Sequence, residues 1–294
     1  MAKRKNHEVS RFYLKRWAND GKIWMFDIET QTIEERSSEA TFAIQNYLYV
    51  PEIDGRRDDS VEEWFGYAEN QLAVYLQRLD KREVGKPVKG EQYMGIVFAL
   101  VGLGYRSGYE LKKIEQMLGA DENLRKQMEV SDDDNLHVIA VENLINIVTR
   151  QAESYLQMGM GIIYGLANPL ITCERPGFDG VAKGVSSYQI PLGPYEFAMI
   201  DEHRPTPMIS LNEVAGTKEF VDTANDFTIK RARKWVVANS REVLEKIAPM
   251  LTKEKVEERA SKDNLIFTPL SEEERENGWS LYKGKNKRLA ESVF

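Results

Sequence analysis

HEVSRFYLKRWANDGKIWMFDIE, residues His7 to Glu29, is the stretch on which the fold reading turns. Phe12, Leu14 and Trp17 fit one or two helical turns, and Asn19-Asp20-Gly21 is a strong stop. Ile23 and Met25 then alternate with other residues, as does Ile33 beyond a turn near Thr30-Gln31. The period of two predicts a β-hairpin over residues 22–28 and 31–37. The chain therefore opens with a basic and aromatic helical turn followed by a strand that ends in two carboxylates, Asp27 and Glu29.

The rest of the chain reads as support for this opening. Val61, Trp64, Phe65, Ala68, Leu72, Leu76 and Leu79 recur at three- and four-residue spacing, which predicts an amphipathic helix. Another helix follows over 90–106, and its Gly95, Gly102 and Gly104 permit close backbone approach, which places it centrally. Shorter helices are expected over 109–118 and 121–129. A long one over 135–158 has so broad an apolar arc that several neighbours must bury it. Asn46 to Val50 reads as a short strand, and residues 81–89 as a loop. After Gly159 the pattern changes to short β-rich runs near 161–166, 170–173, 188–192 and 196–200, the last two forming a hairpin about Gly193-Pro194. From Asp222 the chain reads as helical again through Trp235 and Val236, with further helices starting at Ser240 and Thr252.

The expected fold is α+β: a mostly helical body with a small antiparallel sheet formed by the N-terminal hairpin and the 160–201 segment. Neither β-segment has enough strands to stand alone. Residues 1–262 read as a single domain and 263–294 as a polar C-terminal tail.

Composition narrows the function classes. Hydrophobic residues make up 42% and charged residues 30% of the 294, so a sizeable core is available. The formal net charge of -7 means that nucleic acid would have to be held by a local basic patch rather than by bulk charge. A single cysteine, Cys173, fits a reducing compartment. No apolar run is long enough to span a membrane and none follows the basic N-terminus, so a cytoplasmic location is expected, with no membrane partner. No phosphate-binding glycine loop or dinucleotide-binding GxGxxG occurs.

The segment from His7 to Trp17, followed by Trp24-Met-Phe-Asp27, resembles the opening of the family called domain of unknown function 4238, whose members begin H-x-V-P-x-F-Y-L-[RK]-x-[FW] before a strand ending Y-D. Asn46-Tyr47 with Tyr49, Leu170 to Pro176, Ile190 to Pro194 and Leu211-Asn212 resemble later family elements, so the likeness spans about residues 7–240. Ser10 stands where the family has proline, and Cys173-Glu174-Arg175 stands where it has Ser-Asp-Asn. If that aspartate has a chemical role, Glu174 would perform it with a longer reach. Arg106 matches an arginine that members often carry. The resemblance implies a fold and a candidate site but no activity. Members also occur in phage genomes and mobile elements, which makes a role in host–phage conflict thinkable.

The chemistry-bearing residues admit two readings. His7 is one of three histidines, suited to metal ligation or general base work, or else to bonding the first helix. Asp27 and Glu29 share a strand face, and with Glu174 or Asp201 their oxygens suit a divalent cation, Mg or Mn; a solvated hairpin end is the ordinary alternative. Cys173, His137 and His203 read as packing or loop residues before they read as a site. Arg11, Lys15 and Arg16 interleave with Phe12, Tyr13 and Trp17, and Lys230, Arg233 and Lys234 share a second basic face; both patches suit phosphate contact and base stacking, or simply solvation. One expectation is thus a metal-dependent hydrolase acting on nucleic acid or another phosphodiester. It has His7, Asp27 and Glu174 as catalytic residues, His7, Asp27, Glu174 and Asp201 on the metal, and Arg11, Arg16 and Arg106 on substrate. The other is a non-enzymatic interaction or regulatory protein that binds another protein. Both expectations rest on the opening segment and the mid-chain strands being neighbours in space.

Overall fold

The computed structural model describes residues 5–39, 41–53, 55–81, 88, 90–182, 185–203, 209–213 and 218–263. Strand β1 (Lys5–His7) leads into the short helix α1 (Arg11–Leu14), which a 3-10 turn prolongs to Trp17. The hairpin β2 (Lys22–Asp27) and β3 (Thr32–Ser37) follows, then β4 (Ile44–Asn46) and the two-residue strands β5 (Glu52–Ile53) and β6 (Arg56–Arg57). The helical body comprises α2 (Ser60–Asp80), α3 (Gly90–Tyr105), α4 (Gly108–Ala120), α5 (Glu122–Gln127) and α6 (Leu136–Tyr155). Next come β7 (Gly159–Tyr164), β8 (Thr172–Cys173), β9 (Phe178–Ala182), β10 (Val185–Gly193), β11 (Glu196–Asp201) and β12 (Ile209–Glu213). Helix α7 (Lys218–Arg231), strand β13 (Trp235–Ala238), helix α8 (Arg241–Ile247) and helix α9 (Lys253–Ala260) complete the described chain.

The fold is α+β, a helical body with small, mainly antiparallel sheets. Its described β-structure comprises two larger sheets and the two-stranded pairs β1-β4 and β5-β6. One larger sheet has the order β3-β2-β13-β8, and the other β12-β7-β11-β10-β9. The expected meeting of the hairpin with the mid-chain segment occurs, but only through Thr172 and Cys173 of β8, with β13 between them. The remaining mid-chain strands build their own sheet, in which β12 runs parallel to β7.

Strand β13 corrects the helix expected through Trp235 and Val236. Helix α7 stops at Arg231, and Trp235–Ala238 pairs with β2 on one side and β8 on the other. Four continuous apolar residues carry no periodicity, so a buried strand and a helix end look alike in sequence. The strand expected over Asn46 to Val50 is likewise shifted. Only Asn46 is paired, in β4, and Tyr47 takes a left-handed turn at φ 56°. The strands β9 and β12 were not anticipated. The loop read over 81–89 and the tail read over 263–294 lie almost wholly outside the described residues.

The hairpin forms for local reasons. Asp27 Oδ1 accepts the backbone N–H groups of Glu29 (2.8 Å) and Thr30 (3.0 Å), and Gln31 turns the chain at φ 59°. Alternation then sorts its side chains between two cores. Ile23 and Met25, with Trp235 and Val237 opposite, join the large core of the helical body. Phe26, with Val236, Ala238 and Cys173, faces a second core closed by Leu244 and Ile247 of α8. Helix α3 is buried nearly all round, as expected of a central helix. At Gly104 a Cβ would overlap the Tyr188 hydroxyl and press on the Gly177 carbonyl, so β10 can lie directly on α3 only because that position has no side chain.

Helix α1 ties the opening segment to the mid-chain strands. The Tyr13 hydroxyl, fully buried, donates to the Pro191 carbonyl at 2.6 Å and lies 3.1 Å from the Thr172 hydroxyl. Arg16 donates from Nε to the Leu192 carbonyl at 2.6 Å and from Nη1 to Asp80 at 2.6 Å. The opening segment and the mid-chain strands are therefore neighbours.

Candidate functional site

Strand β1 presents the residues on either side of His7 to the interior. Asn6 and Glu8 are buried, whereas His7 is only partly so. Glu8 accepts hydrogen bonds from Lys234 Nζ at 2.5 Å, from the Gly108 backbone N–H at 3.1 Å, and from Gln45 Nε2. Burial raises its carboxyl pKa above the usual value. The charge and hydrogen bond of Lys234 offset this in part, and the nearby charge of Glu174 adds to it. No hydrogen bond from the carboxamide of Asn6 is found among the described residues.

Glu174 is fully buried at the end of β8. Its Oε1 accepts the Arg233 backbone N–H at 2.7 Å, and its Oε2 lies 3.4 Å from the backbone nitrogen of Trp235. The carboxylate therefore fixes the backbone where α7 gives way to β13. Arg233 beside it forms a two-pronged pair with Asp263, Nε to Oδ2 at 2.9 Å and Nη2 to Oδ1 at 2.6 Å. Burial pushes the Asp263 carboxyl up, but the Arg233 hydrogen bond and the charges of Arg175, Arg233 and Lys113 outweigh it and hold the pKa below normal.

A cleft of about 500 Å³ opens over this junction, within the size range of sites for small organic ligands. Cross-strand register explains its wall: Asp27 lies opposite Trp235, and Met25 opposite Val237. Phe42 meets Trp235 edge to face at 5.2 Å. The Trp235 side chain is almost wholly buried, yet its indole N–H finds no acceptor among the described residues. Arg36, Lys234 and Lys253 supply positive charge around the opening, and Asp27, Glu29 and Glu257 supply negative charge. Lys234 is held by Glu8 and Arg36 pairs with Glu34 at 2.5 Å, while Lys253 has no ion pair among the described residues.

Not all of the residues singled out in the sequence come here. Asp27 and Glu29 line the cleft; Glu174 lies behind it, bonded to its wall. Asp201 ends β11 in the other sheet, where its Oδ1 accepts the His203 backbone N–H at 3.0 Å. Among the described residues no group of three or more His, Cys, Asp and Glu side chains is placed to hold a metal ion. The expected set of His7, Asp27, Glu174 and Asp201 is therefore not gathered into one metal site: Asp201 stands in the other sheet, and the Glu174 oxygens meet the backbone nitrogens of Arg233 and Trp235.

The three expected substrate-binding arginines are engaged elsewhere. Arg11 pairs with Glu39 on the surface. Arg16 is the tether to β10 and α2 described above. Arg106 is buried against Glu69 and Ser10, under the faces of Phe65 and Tyr49. Of the second basic face, Lys234 lines the cleft and Arg233 forms part of its wall, while Lys230 pairs with Asp226. Cys173 is fully buried, and desolvation, with the Glu174 charge beside it, pushes its thiol up to about 12, so it is not a nucleophile in the folded protein. His137 lies 2.7 Å from Glu115 at the start of α6, a packing and pairing role.

Sequence reasoning missed Glu8, Phe42, Trp235 and Lys253. Only Glu8 left a signal: had residues 5–7 been read as a strand, alternation would have sent Asn6 and Glu8 inward together. The other three come from separate segments and meet only through tertiary packing.

A family model described as a protein of unknown function (DUF4238) matches residues 5–242, which takes in every wall of the cleft except the α9 side. No curated protein and no solved structure matches the chain.

Proposed function

Because the chain belongs to the DUF4238 family, whose description names no activity, we propose a function from the cleft itself: it binds a nucleotide or a single strand of nucleic acid and hydrolyses a phosphodiester bond there. The observation that carries this reading is the partly exposed ring of Phe42, backed by the buried Trp235, beside Lys253, Lys234 and Arg36. Aromatic surface for bases and cations for phosphates is the pairing by which single strands are held without sequence preference. The acidic rim supports the hydrolytic part. Asp27 and Glu29 fall short of a metal site alone, but Mg²⁺ is commonly held by one or two carboxylates together with substrate phosphates. A Mg²⁺ or Mn²⁺ ion would then enter with the ligand.

The test is fluorescence anisotropy with labelled single-stranded RNA and DNA, followed by cleavage assays with and without Mg²⁺ or Mn²⁺. The double variant Arg36→Glu with Lys253→Glu changes exposed rim positions and is expected to weaken binding by about tenfold or more, as charge reversals at phosphate contacts do. Equal binding by the variant, or none by the wild type, overturns the proposal. Binding without cleavage under any metal condition retains the ligand class and removes the hydrolase.

A further inference from the structure

On the far side of Arg233 lies a second, smaller cavity of about 180 Å³, between α4, α6, β9 and the end of α7. At roughly 30 Å³ per water it has room for a compact ion and a few waters. Most of the charge lining it is already matched. Arg175 donates to Glu110 at 2.8 Å, Arg233 is locked to Asp263, and Lys230 meets Asp226 at 2.6 Å. Asp179 accepts hydrogen bonds from both the Tyr105 and Tyr155 hydroxyls, one on each oxygen. With both oxygens occupied in this way, Asp179 makes no ion pair among the described residues.

Arg231 likewise has no charged partner among the described residues. Its Nε donates to the Arg175 carbonyl at 3.2 Å and its Nη2 to the Gly104 carbonyl at 2.8 Å. Both acceptors are neutral, and no carboxylate pairs with this half-buried guanidinium among the described residues. Two backbone bonds hold the planar head in a fixed orientation, and Nη1 is left without a hydrogen-bond partner among the described residues. A pre-oriented guanidinium with no carboxylate bonded to it, on the wall of a small polar cavity, is an arrangement that recognises oxyanions. Arg175, Arg233 and Lys230 on the same walls are each paired with a carboxylate, so the free positive charge there among the described residues is that of Arg231, with the Asp179 carboxylate opposing it from β9.

We propose that this cavity is a binding site for a phosphate-class oxyanion, held principally by Arg231. The site is separate from the cleft, and its occupancy does not depend on what the cleft binds. Inorganic phosphate is the probe, and its affinity is read by calorimetry and by thermal unfolding against chloride at equal ionic strength. Arg231→Gln keeps hydrogen-bonding capacity but removes the charge, and is expected to weaken phosphate binding by about tenfold or more. Lys230→Glu, at an exposed position on the rim, is expected to weaken it by a smaller factor while leaving the fold intact. It therefore decides the matter if Arg231→Gln does not fold. Unchanged phosphate affinity in a folded Arg231→Gln protein, no change with Lys230→Glu where the first variant does not fold, or no binding by the wild type overturns the proposal. Competition by a 5′-phosphorylated dinucleotide but not by its 5′-hydroxyl counterpart supports the site and identifies a strand end as the phosphate's source. Competition by neither, with phosphate still bound, supports the site and identifies the free ion.

Discussion

Glu8 shows how much rests on single residues in the opening segment. The eye is drawn to His7, but the carboxylate next to it is the group taken out of water and placed between Lys234, Gln45 and the start of α4. Its raised pKa has a direct consequence for stability. A group whose pKa is higher in the folded than in the unfolded chain favours folding most below the unfolded value, near 4.5, and that contribution is lost as pH rises through the folded value. Glu8→Gln should therefore flatten the fall in stability with rising pH that begins near 4.5, as measured by urea unfolding at a series of pH values. The variant also leaves Lys234 with a weaker partner, so its stability at neutral pH tests whether the ion pair or the desolvation dominates. A wild-type profile with the same slope as the variant would show that Glu8 does not titrate in this window.

At the scale of elements, the packing of β10 on α3 depends on a glycine. Gly104 lies where a Cβ would overlap the Tyr188 hydroxyl, and that hydroxyl donates to the Leu100 carbonyl at 2.8 Å. Gly104→Ala is expected to destabilise the fold by about 1–3 kcal/mol, the usual cost of overfilling a tight contact. Gly66, on the same kind of helix in α2, has nothing near its absent Cβ. Gly66→Ala should be neutral or stabilising by about 0.5–1 kcal/mol through helix propensity. Opposite signs in chemical denaturation would confirm the distinction; two like signs would refute it. The glycines of α3 were readable as a sign of close approach. The element they approach was not, since β10 lies over eighty residues further along the chain.

At the scale of the whole molecule, the central four-stranded sheet separates the two cores. Met25 and Val237 look into the helical body, while Phe26, Val236 and Cys173 look toward α8. Cys173 is thus an internal reporter of global opening. With its thiol raised to about 12 by burial and no exposed surface, it should resist a disulfide exchange reagent under native conditions and react at the rate of unfolding. Fast labelling of the native protein would mean that the α8 side opens independently of the helical body. The same sheet determines which polar residues can work together. It carries Asp27 and Trp235 on one strand pair, and it leaves Asp201 in the neighbouring sheet.

The sequence by itself determined the local elements: the opening turn, the hairpin with its turn near Thr30-Gln31, the amphipathic α2, the buried α3 and α6, and the α+β class. Each follows from side-chain periodicity and turn chemistry within a few residues. The expectation that the opening segment lies near the mid-chain strands holds, but not for the reason given by strand number: the mid-chain strands form a five-stranded sheet of their own, and the contact is made by β8 and by Tyr13 and Arg16. Only the tertiary structure decided that the hairpin and most of the mid-chain strands lie in different sheets, that Trp235–Ala238 is a central strand, and that Trp235 and Lys234, the latter held by Glu8, line the cleft while Asp201 stands in the other sheet. Those outcomes depend on which distant backbones pair and in what register. A shift of one residue in a strand exchanges its inward and outward side chains, and no local pattern fixes that choice until the partner strand is in place.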